Sequence, residues 1–280
     1  MRLQACAVIF CLLSVQSVLS ASLVRFLHAS PDGPAVDLLA NDAQAPLAIG
    51  LEFSAITTYA AVPSGTYTFY VVPSNGTQED AVNSTTVDLE DGEDYTIAAV
   101  GMISRGTFEI LVKADHNKAA WKSAKIRWVN LAPELDHMDV FQIVDHQQHY
   151  IVKGLPYTKA ANYVEFPEDD YEFHITLTRS KSVFVFITGL YLETGEVYSA
   201  FIVGLIKHGD LGGKPRIRAV IIDDTMDQGA RASTSFIASG ASAEESVPLR
   251  SVKYVKYAEI EVQGEWEDPA LMIKDPIMNM

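Results

Sequence analysis

Cysteine is scarce in this chain of 280 residues, and the only two, Cys6 and Cys11, both precede residue 20. They fall in a stretch that has the features of a secretory signal peptide: Arg2 provides a positive charge, residues 5–13 form a short apolar core, and a cleavage site ends at Ser20. We therefore predict a secreted, extracellular protein. Its mature chain would contain no cysteine, which excludes disulfides, thiol nucleophiles and thiolate metal ligands.

Positive charge is also in short supply. The chain has 21 Lys and Arg against 36 Asp and Glu, for a formal net charge of −15 at pH 7. Binding to phosphate backbones needs clustered basic residues, so a nucleic-acid partner is excluded, and the acidity is better explained by solubility. Beyond the predicted signal peptide no apolar run is long enough to cross a bilayer, so we predict no membrane span.

Catalytic motifs are missing as well. There is no Gly-x-Ser-x-Gly nucleophile elbow and no glycine-rich loop of the kind that holds a phosphate group. We therefore predict that the protein is not an enzyme and has no cofactor. A catalytic triad is recognised by geometry and not by sequence, so a secreted hydrolase stays an alternative, with its site between two domains or around three histidines named below.

What the sequence does contain is an internal repeat. The stretch from Val24 to Asp37 returns as Ile126 to Asp139, each copy with one Arg in an apolar run. Further along, Pro31 recurs as Pro133, Tyr67 as Tyr171 and Gly101 as Gly204, at offsets of 102 to 104 residues. A nearly constant offset indicates a duplication. We predict a signal peptide at 1–20, a first copy at 21–121, a second at 122–228, and an Ala/Ser-rich segment with a partly flexible tail at 229–280.

The short-range pattern in each copy is that of β-strands. Thr66–Val71 alternates and is rich in β-branched and aromatic residues, and Tyr95–Val100 is a near-continuous apolar run typical of a central strand. Helical periodicity is hard to find. We predict an all-β protein of two tandem antiparallel β-sandwich domains, immunoglobulin-like or prealbumin-like, with about seven strands each and with Tyr67 and Tyr171 in equivalent positions.

The opening motif also carries a family resemblance. His28–Asp37, then Tyr59, then Val62–Tyr67, then Tyr95 leading to Gly101, resembles the domain-of-unknown-function family 4397. The resemblance covers both copies and is looser in the second, where Asn130 replaces His28. It implies a secreted or surface β-sandwich domain that often occurs in tandem, and it supplies no catalytic residues.

Two acidic clusters are candidate calcium ligands. Asp32 and Asp37 flank a proline-rich turn, and the second cluster comprises Asp223, Asp224 and Asp227. Calcium takes six to eight oxygen ligands, and neither cluster offers enough. We favour structural roles: Asp32 caps its own turn, Asp37 makes a local bond at the start of a strand, and the second cluster is a solvated loop. We predict no metal site.

Histidines provide the remaining candidates. The second copy contains His137, His146 and His149, and the spacing of His146 and His149 would suit metal chelation on a helical turn. The surrounding pattern is strand and loop, so a polar hairpin is the favoured interpretation. His28 follows an apolar strand and is interpreted as a hydrogen-bonded structural residue.

Asn75 and Asn83 begin two N-glycosylation sequons, both in the first copy. They predict an exposed, glycosylated hairpin, although Asn75-Gly76 is also typical of a tight turn. A glycan excludes a close interface, so a partner surface is expected on the second copy or on the far end of the first.

Together these observations predict a secreted, non-catalytic structural or ligand-binding β-sandwich protein of the cell surface or extracellular matrix. Its ligand, a protein or a polysaccharide, is not identified by the sequence. The alternatives are the secreted hydrolase and a metal-dependent adhesion module.

Overall fold

The computed structural model describes residues 21–41, 46–180, 183–206 and 216–225, together with a two-residue strand at 256–257. Within these residues the regular elements are β-strands and two short 3-10 turns. The all-β prediction is confirmed. The predicted signal peptide and most of the 229–280 segment lie outside the described residues.

Copy one, the part before residue 121, contains eight strands. They are β1 (Ala21–His28), β2 (Val36–Ala40), β3 (Ala48–Leu51), β4 (Ala60–Pro63), β5 (Gly65–Pro73), β6 (Asn83–Leu89), β7 (Asp94–Val100) and β8 (Glu109–Asp115).

Copy two, from residue 122 onward, repeats this set. Its strands are β9 (Ala124–Asn130), β10 (His137–Val144), β11 (Gln147–Pro156), β12 (Val164–Phe166), β13 (Asp169–Leu177), β14 (Val183–Leu192), β15 (Val197–Val203) and β16 (Arg218–Asp223), and the late strand β17 (Lys256–Tyr257) pairs with β16.

Each copy is a sandwich of two sheets with the same strand order. The inner sheets have the orders β4-β1-β7-β8 and β12-β9-β15-β16-β17, and the outer sheets have the orders β3-β2-β5-β6 and β11-β10-β13-β14. The expectation that both copies share one strand order is confirmed. The described residues of each copy form eight strands, close to the predicted number of about seven. One detail was not predicted, because β1–β7 and β9–β15 pair in parallel within otherwise antiparallel sheets.

The burial of the inner strands explains their sequences. Every residue of β7 is buried. Ile97 packs in the core of copy one against the outer sheet, whereas Ala98 and Val100 belong to a cluster shared with copy two. A strand covered on both faces shows a continuous apolar run instead of alternation, which is the pattern of Tyr95–Val100.

The cores of the two copies are built on the same plan. Tyr67 stacks on Phe69 with centroids 5.9 Å apart, and Tyr171 stacks on Phe173 at the same distance. The predicted equivalence of the two tyrosines is thereby confirmed. In copy two Trp128 adds an edge-to-face contact with Phe173 at 5.0 Å, a favourable geometry for aromatic pairs.

A matched glycine ends the central strand of each inner sheet. Gly101 has φ of +80° and Gly204 has φ of +97°, in the left-handed region. A Cβ atom would lie 2.0 Å from the carbonyl oxygen of Thr107 at the first position and 2.4 Å from that of Arg216 at the second. Both the backbone angle and the close backbone approach therefore require glycine.

Candidate functional site

A buried charged network lies between the inner sheets of the two copies. Arg25, in the middle of β1, is fully buried. Its Nε donates to Thr96 Oγ1 at 2.8 Å, and its Nη1 donates to Asp224 Oδ1 of copy two at 2.6 Å. The guanidinium carbon lies 4.5 Å from the centroid of the Tyr59 ring, a cation–π distance.

Arg127 repeats this arrangement from the other side. It occupies the equivalent place on β9, where its Nε donates to Ser199 Oγ at 2.8 Å and its Nη2 donates to Asp115 Oδ1 of copy one. Its guanidinium carbon lies 5.3 Å from the centroid of the Tyr163 ring. Each Arg thus pairs with the carboxylate of the other copy, and exchanging the two copies reproduces the network.

The two carboxylates have further partners. Asp115 Oδ2 accepts from the Tyr59 hydroxyl at 2.6 Å and from Thr96 Oγ1, while Asp224 Oδ2 accepts from Ser199 Oγ at 2.6 Å. A buried charge is tolerated when it is paired and hydrogen-bonded, as both carboxylates are here. The network therefore fixes how the two sandwiches pack.

The pKa directions agree with this structural role. Burial opposes the charge on Arg25, but the neighbouring Asp224, Tyr59 and Asp115 outweigh it, so the Arg25 pKa is raised above its ordinary value. Burial raises the pKa of Tyr59 and of Tyr163, so both hydroxyls stay protonated. Arg25 and the two tyrosines therefore keep their protons near neutral pH.

The first acidic cluster has the predicted structural role, but with other partners. Asp32 accepts from the backbone amides of Ile103 at 2.8 Å and Ser104 at 2.9 Å, so it caps a distant 3-10 turn, and Ser30 Oγ also donates to it at 3.4 Å. Asp37 accepts from the amide of Gly50 at 2.6 Å. Asp139, its equivalent in copy two, accepts from the amide of Gly154 at the same distance.

The interpretation of the second acidic cluster is wrong for one member. Asp224 is fully buried and pairs with Arg25, so it does not belong to a solvated loop. Asp223 accepts from the amide of Thr225 at 2.8 Å. Asp227 lies outside the described residues.

His137, His146 and His149 do not come together. His137 begins β10, whereas His146 lies beyond the other end of that strand, roughly 24–30 Å away for about eight residues of extended chain. Asp145 and His146 have φ of +50° and +62° and form a two-residue hairpin loop of the kind that needs two positive φ values. In the part of the chain that the structure describes, no three His, Cys, Asp or Glu residues are grouped to hold a metal ion.

His28 is buried, and its Nε2 lies 2.9 Å from the carbonyl oxygen of Pro34. Burial lowers its pKa, so the ring is neutral at pH 7 and donates to that carbonyl. In copy two Asn130 takes this place and donates to the carbonyl oxygen of Leu135 at 2.8 Å. Both side chains satisfy a loop carbonyl, as predicted for a structural residue.

The two sequons differ in their surroundings. Asn75 is exposed in a turn with φ of +66°. Asn83 begins β6, is half-buried, and donates from Nδ2 to the carbonyl oxygen of Phe108 at 3.0 Å. Glycosylation at either position stays a prediction.

An aromatic row crosses the outer sheet of copy two. Tyr150 on β11 faces Phe141 on β10, Phe141 faces His174 on β13, and His174 faces Phe186 on β14. The ring centroids of Tyr150 and Phe141 are 4.3 Å apart, and those of His174 and Phe186 are 4.7 Å apart. Tyr150 has 56% of its surface exposed, which is unusual for an aromatic residue already packed on its neighbour.

Polar groups accompany this row. His174 Nε2 lies 2.7 Å from Glu172 Oε1, and the Lys153 ammonium lies 5.1 Å from the centroid of the Tyr150 ring. Glu172 has 42% of its side chain exposed, so it has room to accept further hydrogen bonds. Phe141 is only 7% exposed, so the exposed ring surface of the row comes mainly from Tyr150, with a donor and an acceptor beside it.

Among the described residues of copy one there is no such row. At the equivalent positions of copy one, Leu39 on β2 pairs with Tyr70 on β5, and Tyr70 pairs with Ser84 on β6. Copy one therefore has one ring at the three positions where β10, β13 and β14 of copy two have three. Ser84 is the central residue of the second sequon. The outer faces of the two copies therefore differ in chemistry although their strands match.

Neither the charged network nor the aromatic row is predicted from the sequence. The signal for the charged network was an Arg in the middle of each apolar opening strand, an unusual place for a charge. The signal for the aromatic row was weaker, since its members lie on four different strands.

A family model tests the resemblance to the domain-of-unknown-function family 4397. Residues 22–141 match the family model described as Domain of unknown function (DUF4397). The resemblance is confirmed over these residues. The match covers copy one from residue 22 and reaches through β9 into β10, and the rest of copy two lies outside it. No curated protein matches this chain.

Several solved structures show distant similarity. The Bacillus anthracis TIE protein matches at 10% identity and a TM-score of 0.22, with 73% of this chain and 42% of that chain covered. CBMbc, a family CBM26 module from Eubacterium rectale Amy13K solved with maltoheptaose, matches at 8% identity and a TM-score of 0.20, with 69% and 98% covered. A family 41 carbohydrate-binding module from streptococcal virulence factors matches at 12% and 0.21, with 64% and 92% covered. At these TM-scores the similarities carry no argument about function.

Within the described ranges there is also no helix of the length and hydropathy that a membrane crossing requires.

Proposed function

We propose that this protein is a secreted, non-catalytic module of the cell surface or extracellular matrix that binds a neutral polysaccharide on the outer sheet of copy two. The observation that carries the proposal is the aromatic row from Tyr150 to Phe186. It lies across a whole sheet on the copy that contains no sequon.

The row suits an extended sugar chain. Neighbouring strands are about 4.8 Å apart, so a row over four strands extends roughly 14 Å, long enough for a short oligosaccharide segment. Aromatic rings cover the C–H faces of sugars by apolar contact. The nearby carboxylate of Glu172 and ammonium of Lys153 supply an acceptor and a donor for hydroxyl groups.

Charge favours a neutral ligand over an acidic one. The chain has a net charge of −15, and an anionic polysaccharide would be repelled by it. Hydroxyl groups of a neutral sugar have no such penalty.

The non-catalytic part of the proposal rests on how the charged groups are used. Asp139, on β10, is buried and accepts from the amide of Gly154 and from Thr178 Oγ1. Asp115 and Asp224 are buried between the copies and paired with Arg side chains. A glycosidase needs two available carboxyl groups beside the sugar, and these three are already committed elsewhere.

A retention assay tests the proposal. The purified mature protein is passed through gels or columns that contain neutral extracellular polysaccharides, alongside the variant Tyr150→Ala/Phe186→Ala. We expect one neutral polysaccharide to retain the protein and the double variant to bind at least about tenfold more weakly, a loss of about 1.4 kcal/mol.

Tyr70→Ala is the matched control, because Tyr70 occupies in copy one the position of His174 in copy two. It should leave retention unchanged. Absence of retention by every neutral polysaccharide, or binding to a matrix protein alone, would contradict the proposal.

A further inference from the structure

The contact between the two copies has the composition of a specific interface. A cluster of buried apolar residues lies between the inner sheets, and both copies contribute to it. Its members are Leu27, Ala29, Ile56, Ala98 and Val100 from copy one, and Val129, Leu131, Phe201, Val203, Val220 and Ile222 from copy two.

The contributions from the two copies are equivalent. Leu27 on β1 corresponds to Val129 on β9, and Val100 at the end of β7 corresponds to Val203 at the end of β15. Apolar residues therefore meet from both sides at equivalent positions, although their sizes differ, since Ala98 corresponds to Phe201. An interface in which the same patch is used by both partners is self-complementary, as in a two-fold symmetric dimer.

The charged network follows the same rule. Copy one contributes Arg25 and Asp115, copy two contributes Arg127 and Asp224, and the close pairs cross between the copies. Within copy one, Arg25 Nη2 and Asp115 Oδ2 are 3.7 Å apart, longer than the 2.6 Å of Arg25 to Asp224. Each copy therefore contains one Arg and one Asp, and each of these side chains makes its closest ion pair with a residue of the other copy.

Most of the connection between the copies is exposed, although Asn117 within it is buried. Lys118 and Ala119 are exposed, and the Trp121 side chain is 88% exposed. The linker from His116 to Ser123 joins β8 to β9 along the surface.

We infer that the inner face of each sandwich is a self-complementary pairing surface whose partner is another domain of the same kind. The ion pairs between an Arg of one copy and an Asp of the other determine that the two inner sheets bind each other. The contact between the copies does not depend on the covalent linker. A second copy of this chain offers the same surfaces, so copy one of one chain and copy two of another satisfy the same contacts.

Cleavage of the linker in the full-length protein tests this inference. A protease recognition site is inserted between Lys118 and Ala119, and the purified folded protein is cut there. The two halves should remain together as a 1:1 complex in size-exclusion chromatography at micromolar concentration. Separation of the halves on cleavage would overturn the inference.

Variants of the same cleavable protein test the role of the ion pairs. Arg25→Met leaves Asp224 buried without its partner and should weaken the association of the halves roughly a hundredfold or more. The double variant Arg25→Met/Asp224→Asn removes both charges and should restore association toward that of the parent protein.

Arg105→Met is the control. Arg105 also pairs across the copies, with Glu134 at 3.1 Å, but its side chain is 46% exposed. Glu134 is only 10% exposed, but it keeps the hydrogen bond that it accepts from the amide of Ile206 at 2.9 Å. A pair with a half-exposed Arg contributes little, so this variant should associate nearly as the parent does. Equal weakening by Arg25→Met and Arg105→Met, or no recovery in the double variant, would contradict the assignment of specificity to the buried pairs.

Discussion

Copy one and copy two have the same strands in the same order, yet they resemble each other on one face and differ on the other. On the inner face the matched residues are an Arg, a hydroxyl residue and an Asp in each copy. On the outer face copy two has the aromatic row, and copy one has a sequon on the corresponding strand. We conclude that pairing constrains the inner faces and leaves the outer faces free to differ in function.

The largest expected effect concerns the face that the copies share. Arg25→Met and Arg127→Met each leave a buried carboxylate without its close partner, so each should lower the free energy of unfolding by about 3–5 kcal/mol. Urea denaturation measures both. If one substitution is costly and the other nearly neutral, the two halves of the network are not equivalent, and the symmetric description is wrong.

The next effect concerns the matched glycines. Gly101→Ala and Gly204→Ala force a Cβ against a backbone carbonyl at positive φ, and each should cost about 2–3 kcal/mol. Gly195→Ala is the control, since its φ is +88° but no atom lies within 4 Å of the new Cβ. That change should cost only about 1 kcal/mol. Equal losses at Gly195 and Gly204 would show that backbone angle, and not close approach, decides the cost.

A smaller effect should distinguish His28 from Asn130, its counterpart in copy two. Burial lowers the pKa of His28, so below about pH 6.5 the unfolded chain binds a proton that the folded protein resists. Stability contributed by the neutral ring is therefore present above that pH and decreases as the pH falls. His28→Asn places in copy one the residue that copy two uses, so it should reduce this acid sensitivity. Identical unfolding curves from pH 7 to pH 5 for both proteins would contradict the argument.

The smallest effect concerns the sequons of copy one. Asn75→Gln and Asn83→Gln should each remove the mass of one glycan from protein secreted by a eukaryotic host. Asn83→Gln should also cost about 1 kcal/mol, because the bond from Asn83 Nδ2 to Phe108 is lost. Intact mass before and after glycosidase treatment provides the check. If glycosidase treatment leaves the mass of the unsubstituted protein unchanged, copy one has no glycan, and glycosylation does not distinguish the two copies.

The sequence predicted the parts of this structure that depend on local pattern. Alternation in Thr66–Val71, the apolar run Tyr95–Val100 and the repeated tyrosines and glycines were enough for an all-β double sandwich. These sequence patterns are short-range, because the residues of one strand are enough to predict that strand.

The pairing of the copies could not be predicted in the same way. Arg25 and Asp224 are 199 positions apart, and Asp224 was interpreted as part of a solvated loop because its neighbours in sequence are acidic. The aromatic row was missed because its residues become neighbours only through strand register, which depends on how the strands pair. Both features are tertiary, and each crosses several strands.

Hydrogen exchange on the full-length mature protein tests the central claim most directly. It is measured with and without a soluble oligosaccharide cut from the neutral polysaccharide that retains the protein. We predict slowed exchange in β10, β11, β13 and β14, the outer sheet of copy two, and no change in β2, β3, β5 and β6 of copy one. Protection on copy one, equal protection of both outer sheets, or no protection at saturating oligosaccharide would contradict the assignment of the binding face to copy two.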